Sequence, residues 1–176
     1  MGQTARVNEL AITVIGPDRT GIVADVAEAL SGLGANLTDS TMTRLRGHFA
    51  MTLICTGPGA ADVERALAPL SGDDGLLATV REVHPEAEAA IGGEPYLVSV
   101  HGADRLGIVA AVTREVAEAG GNITDLTTRL TGPLYVLVAE VDVPPGAAEH
   151  LGARLADAAA TLGVEITVRR ADPDVL

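Results

Sequence analysis

Two short segments of this 176-residue chain carry residue types that could do chemistry, and they are nearly the same segment. Residues 16–23 read Gly-Pro-Asp-Arg-Thr-Gly-Ile-Val, and residues 102–109 read Gly-Ala-Asp-Arg-Leu-Gly-Ile-Val. Each joins a short apolar run to a stretch with helical apolar spacing, which puts the motif at a helix start. A helix start presents unpaired N–H groups and a partial positive charge, so it suits a carboxylate. Gly21 and Gly107 carry no Cβ to block a ligand's approach to the backbone, and Ile22 and Ile108 open the helices. Asp18 and Asp104 have two readings, helix caps or acceptors for an α-ammonium group. Asn36 and Asp39, like Asn122 and Asp125, fall at the start of the following strand, where either ligand contact or turn chemistry would use them.

Little else in the chain points to catalysis. The four histidines (His48, His84, His101 and His150) are dispersed, with no metal-ligand spacing. His101 alone abuts one of the motifs, which makes it a binding candidate. No metal and no cofactor is expected. The absence of lysine among the 12 basic residues excludes a Schiff base and a phosphate-binding P-loop. The single cysteine, Cys55, lies in an apolar run and reads as a buried hydrophobe. Asp73-Asp74 reads as a turn and Glu82 to Glu88 as a solvated acidic linker. A phosphate-hydrolysing site around Arg19 or Arg105 would need an Asn placed to orient water, and none is. The chain is expected not to be an enzyme.

Twenty-four acidic residues against 12 basic ones give a formal charge of −12, which repels a phosphate backbone. Three aromatic residues (Phe49, Tyr96 and Tyr135) supply no stacking platform for bases. Direct nucleic-acid binding is not expected. The longest uncharged stretch, Gly47 to Ala61, contains three glycines and a proline and is shorter than a membrane span needs. The first ten residues lack the apolar core of a secretory signal. The expectation is therefore no membrane and a cytoplasmic protein.

Stepping both motifs along the chain exposes a repeat. At a constant offset of 86, positions 10–39 contain 13 identities, from Val14 with Val100 to Asp39 with Asp125. Beyond Asp39 the identities favour an offset of 85, pairing Arg44, Leu45 and Gly47 with Arg129, Leu130 and Gly132, as if the first copy held one extra residue in a bulge. The apolar spacing predicts the same order of elements in each copy. Strands are expected at Leu10–Ile15 and Tyr96–Val100. Helices follow through Ile22, Val23, Val26, Leu30 and Leu33, and through Ile108, Val109, Val112, Val116 and Ala119, ended by Gly34 and Gly120. Hairpins at Asn36–Arg46 with Phe49–Cys55, and at Asn122–Thr131 with Leu134–Val143, come next. Second helices at Ala60–Leu70 and Ala147–Leu162 lead to last strands at Leu76–Val83 and Val164–Arg169. This is βαββαβ twice: an α+β chain of two ferredoxin-like domains, each an antiparallel four-stranded sheet with two helices on one face. The domains are expected at 1–84 and 95–176, with 85–94, rich in Pro, Gly and acid, as linker.

The motif Gly-x-Asp-Arg-x-Gly-Ile-Val, followed after a helix by Gly-x-Asn-Ile/Leu-Thr-Asp, twice over on this pattern, resembles a tandem pair of ACT domains. The resemblance covers residues 9–84 and 95–170. It implies regulation by a small molecule, usually an amino acid, with the small amino acids glycine and serine as the candidates here. It implies as well that ligand lies between the first loop of one domain and the second strand of its neighbour. On that basis Asp18, Gly21 and Ile22 would face Asn122 and Asp125, while Asp104, Gly107 and Ile108 would face Asn36 and Asp39. A homodimer and a protein target are the expected partners. The rival reading is a ligand-free adaptor of the same fold that works through its sheet, because strands such as Leu134–Val143 are apolar on both faces.

Overall fold

The computed structural model describes residues 9–72, 75–84 and 93–171. The chain divides between Glu88 and Ala89 into two compact units. The first unit runs β1 (Glu9–Pro17), α1 (Ile22–Ser31), β2 (Asn36–Leu45), β3 (His48–Thr56), α2 (Ala60–Leu67) and β4 (Leu77–Val83). The second repeats the order as β5 (Glu94–Ala103), α3 (Ile108–Glu118), β6 (Asn122–Thr131), β7 (Leu134–Val143), α4 (Ala148–Leu162) and β8 (Val164–Arg170). The sheets are ordered β2-β3-β1-β4 and β6-β7-β5-β8, with every pairing antiparallel. Each unit is the expected ferredoxin-like α+β fold.

Alternation along the strands decides which face is covered. Leu10, Ile12 and Val14 of β1 and Phe49, Met51, Leu53 and Cys55 of β3 point to one side, where Ile22, Val26 and Leu30 of α1 and Val63 and Leu67 of α2 meet them. In the second unit Val98, Val100, Leu137, Ala139 and Val141 meet Ile108, Val112, Val116, Leu151 and Leu155. Both cores are almost wholly aliphatic, as the shortage of aromatics requires. The buried stripe of α1 is narrower than its apolar residues suggest. Val23, Leu33 and Val109, placed on the buried face by spacing, are 43%, 37% and 39% exposed.

Helices α1 and α3 close alike. The Ala35 N–H donates to the Leu30 carbonyl (3.1 Å) and the Gly34 N–H to the Ser31 carbonyl (2.9 Å), while Gly121 and Gly120 do the same to Val116 and Ala117. This pattern needs a left-handed residue, and Gly34 and Gly120 supply it with φ of 71° and 75°. The second helix of the first unit stops at Leu67, short of the expected Leu70, and passes into a 3-10 turn over Ala68–Ser71. Pro69 accounts for this, because it has no N–H to continue the ladder. Glu82 belongs to β4 rather than to a linker. Asp73, Asp74 and most of the expected linker, residues 85–92, lie outside the described residues.

The structure also corrects the internal alignment. Both copies carry the same register shift in the second strand, between Leu37 and Asp39 and between Ile123 and Asp125. The bulge is thus shared, and the offset stays at 86 through the hairpin: Leu45 pairs with His48 as Thr131 pairs with Leu134. The length difference comes later. Ile12 pairs with Val80 but Val98 with Val168, so the second copy is longer in its helical crossover. The glycines misled because they fill different turn positions. In the first hairpin Arg46 (φ 49°) and Gly47 (φ 83°) are both left-handed, whereas in the second Gly132 (φ 58°) comes first and Pro133 follows.

Cys55 is fully buried, and burial pushes its thiol above the ordinary value. Since the thiolate is the reactive form, a thiol reagent at pH 8 is expected to leave the folded chain unmodified and to titrate one thiol once urea unfolds it. Rapid labelling of the folded chain would show that the first core opens readily.

Candidate functional site

The two motif loops are built the same way. Gly21 and Gly107 take the N-cap position of α1 and α3 with φ of 90° and 89° and ψ near 0°, and no side chain caps either helix. The left-handed backbone is what demands glycine there. A Cβ on Gly21 would approach nothing nearer than Arg19 Nη1 at 4.0 Å, and one on Gly107 would meet nothing within 4 Å. The helix starts therefore face open space. This overturns the capping reading for both aspartates.

The other candidates separate into groups. Ile22 and Ile108 are each 2% exposed and belong to the cores, so only their backbone N–H groups face the loops. Asn36, Asp39, Asn122 and Asp125 are exposed at the opening end of β2 and β6. The Asp18 N–H donates to the Gly47 carbonyl at 2.9 Å, which fixes the first loop at the far, hairpin end of β2. Six residues of strand between Asp39 and Leu45 amount to about 20 Å. Within a unit, then, the fold keeps the loop apart from Asn36 and Asp39. His101 continues β5 on the helix-free face, where its Nε2 lies 3.9 Å from Glu165 Oε1, whereas the start of α3 belongs to the helix face.

Four residues that the sequence did not single out distinguish the loops. In the first, Arg44 Nη1 lies 3.4 Å from Asp18 Oδ2, and Arg19 Nη2 lies 2.8 Å from Asp25 Oδ2 in the opening turn of α1. The structural counterparts of Arg44 and Asp25 are Leu130 and Ala111. No acid stands in the first turn of α3, and among the described residues the Asp104 carboxylate makes no ion pair. A steady offset of 86 would have revealed the replacement of Arg44, whereas that of Asp25 lies in the stretch already aligned at 86. The offset of 85 instead matched Arg44 to Arg129, which lies on the opposite face of its strand.

Behind the second loop, an open cavity of about 390 Å³ begins at Ala111 and runs between α3 and α4 past Glu115, Arg154, Asp157 and Leu162. Arg154 there is held by both Glu115 and Glu118. Among the described residues no three His, Cys, Asp or Glu side chains are grouped to hold a metal, and no helix is long and apolar enough to cross a membrane.

Comparison with known proteins identifies relatives of this fold. A UPF0237 protein of Streptococcus mutans is 43% identical over 51 residues, 29% of this chain and 58% of that protein. One of Methanocaldococcus jannaschii is 33% identical over 78 residues, 43% of this chain and 87% of that protein. The chain spans only about half the length of the first several such relatives. Among solved structures, a protein of unknown function from Galdieria sulphuraria superposes with a TM-score of 0.79 at 28% identity, over 94% of this chain and 99% of that one. A chain provisionally described as a glycine cleavage system transcriptional repressor shares the fold over 94% of this chain and 98% of its own, with a TM-score of 0.69 at 20% identity. Residues 8–80 and 94–169 each match the model of the ACT domain, and with two left-handed glycine loops opening two βαββαβ units, the chain belongs to the ACT domain family as a tandem pair.

Proposed function

We propose that this chain is an amino-acid-sensing regulatory protein, with domains 1–84 and 95–176 joined by residues 85–94, that controls amino-acid metabolism through a protein partner. The observation that carries this reading is the duplicated helix start, uncapped by any side chain and left open by Gly21 and Gly107. An amino acid offers it a carboxylate for the helix-start amides and an ammonium for Asp18 or Asp104. Asn36 and Asp39, or Asn122 and Asp125, would complete each site from a neighbouring domain, which explains why the fold keeps them away from the loop of their own unit. Ligand bound across such an interface favours one assembly over another, and that preference is what makes binding a switch. The chain is read as a homodimer, cytoplasmic and without catalytic, metal or membrane function. Its charge of −12 argues for action through protein rather than DNA.

A screen of the twenty standard amino acids by thermal shift tests the reading. A ligand at a hundredfold excess over its dissociation constant adds about 2.7 kcal/mol, and glycine or serine is expected to raise the melting midpoint with concentration. No response to any of the twenty would favour the adaptor instead. That second reading has its own support in Ile15 and Leu77, neighbours on the helix-free face that are 45% and 60% exposed.

A further inference from the structure

We infer that the helix-free face of the first sheet is where two copies of this chain meet, packed face to face about a twofold axis that runs along the strands between β1 and β3. This inference does not rest on the sensing reading. It gives the homodimer named there a surface, and it gives Asp39 a protein partner in place of a ligand. Helices cover only one side of the sheet. Alternation puts Ala11, Thr13 and Ile15 of β1 and Ala50, Thr52 and Ile54 of β3 on the other side, with no charge among them. The register then sets the rows that cross the strands. Arg81, Ala11, Ile54 and Asp39 stand in one row, from β4 to β2. The charges at its two ends are three strand spacings apart, about 14 Å. Among the described residues neither is ion-paired within its own chain.

A twofold axis along the strands lays each row over the same row of the partner in reverse order. Arg81 then faces the partner's Asp39, and Asp39 the partner's Arg81, so the ion pair forms twice. In that row Ile54 lies over the partner's Ala11, and two residues along the strands Ile15 lies over the partner's Ala50. Large residue meets small on both sides of a central threonine pair, Thr13 and Thr52, whose Oγ1 atoms are 3.4 Å apart within one sheet. Side chains that interdigitate in this way are how two aligned sheets pack about 10 Å apart. Seven residues on each of four strands cover roughly 450 Å² in plan. Two copies give about 900 Å² before side-chain relief is counted, close to the 1,000 Å² or so that a specific interface should clear. The second sheet has the charges without the fit. Arg169 and Asp125 end the matching row, yet its centre holds Leu97 and Glu140, and the same operation would set a carboxylate on a leucine.

Sedimentation equilibrium of the full chain from about 1 to 200 µM, the range suited to an interface of this size, should show a reversible equilibrium between monomer and dimer. Arg81→Asp sets carboxylate against carboxylate twice over, and Asp39→Arg sets cation against cation, so each should weaken the dimer about tenfold or more. The chain carrying both substitutions regains both pairs and should dimerise within about threefold of the unaltered chain. An equimolar mixture of the two single variants should do the same, because each supplies what the other lacks. That result follows only when positions 81 and 39 face one another across the twofold axis. Both positions are exposed, and circular dichroism checks that each variant is folded. A chain that stays monomeric throughout would overturn the inference and leave the face to a different protein. A dimer that ignores both single substitutions, or one that the double substitution does not rescue, would overturn it by placing the contact elsewhere.

Discussion

Replacing Phe49 with alanine is expected to cost the first unit about 3–5 kcal/mol, the range for removing a buried aromatic ring. Phe49 is 1% exposed and is the one phenylalanine in a core otherwise made of aliphatic residues, methionine and cysteine. It pairs with Gly16 on one side and Arg44 on the other. Gly16 offers no side chain to collapse into the space, and Arg44 carries its charge out to Asp18. The cavity would therefore persist rather than fill. The aromatic residues make the measurement selective, because Tyr96 and Tyr135 both fall in the second unit. Urea unfolding followed by far-ultraviolet circular dichroism should show an early transition in Phe49→Ala. Tyrosine fluorescence should report the second unit unfolding where it did before. A loss below about 1 kcal/mol would mean that the first core relaxes around the gap, contrary to its close packing. Equal displacement of both signals would show that the units unfold as one.

The repeat made the fold legible, because two copies of one pattern constrain each element twice. The apolar periodicities of β1 and α1 survive in β5 and α3 although most of the residues differ. What the pattern missed came from chemistry that periodicity does not encode. Pro69 shortens α2 without altering its apolar spacing. The hairpin glycines, Gly47 and Gly132, align by identity but serve different turn positions, so a match by residue type shifted the register by one and a strand's faces with it. That shift hid the replacement of Arg44 by Leu130. The loops were legible as loops, but Gly21 and Gly107 read there as clearance for a ligand, whereas the structure requires them for a left-handed φ. The partner of Asp18 was not, because it arrives from a strand 26 residues away and depends on which face Arg44 occupies. Ile22 and Ile108 show the opposite limit: a residue inside a motif can be there for the core alone.

Replacing Gly16 with valine is expected to destabilise the first unit by about 3 kcal/mol, the upper part of the range for overpacking, for a reason separate from backbone freedom. A Cβ at Gly16 would stand 2.9 Å from the Gly75 carbonyl oxygen, 3.0 Å from Leu76 Cα and 2.8 Å from Leu76 Cδ2. Two of these three obstacles are main-chain atoms at the entry to β4, and they cannot rotate aside. Gly102 meets the same crowding from Val164, at 2.9 Å from Cγ1 and 3.2 Å from Cα, so the motif's leading glycine is there to let the last strand close against the first. Gly107→Ala is the control, since its Cβ meets nothing within 4 Å and only the left-handed φ is penalised, at about 1–2 kcal/mol. Chemical denaturation should therefore rank Gly16→Val above Gly107→Ala in lost stability. The reverse order would mean that β4 shifts at little cost and that Gly16 is not a packing glycine. The same comparison separates the two jobs within one motif. A substitution at Gly16 should act on the packing of the sheet, while one at Gly107 should act through its backbone conformation alone.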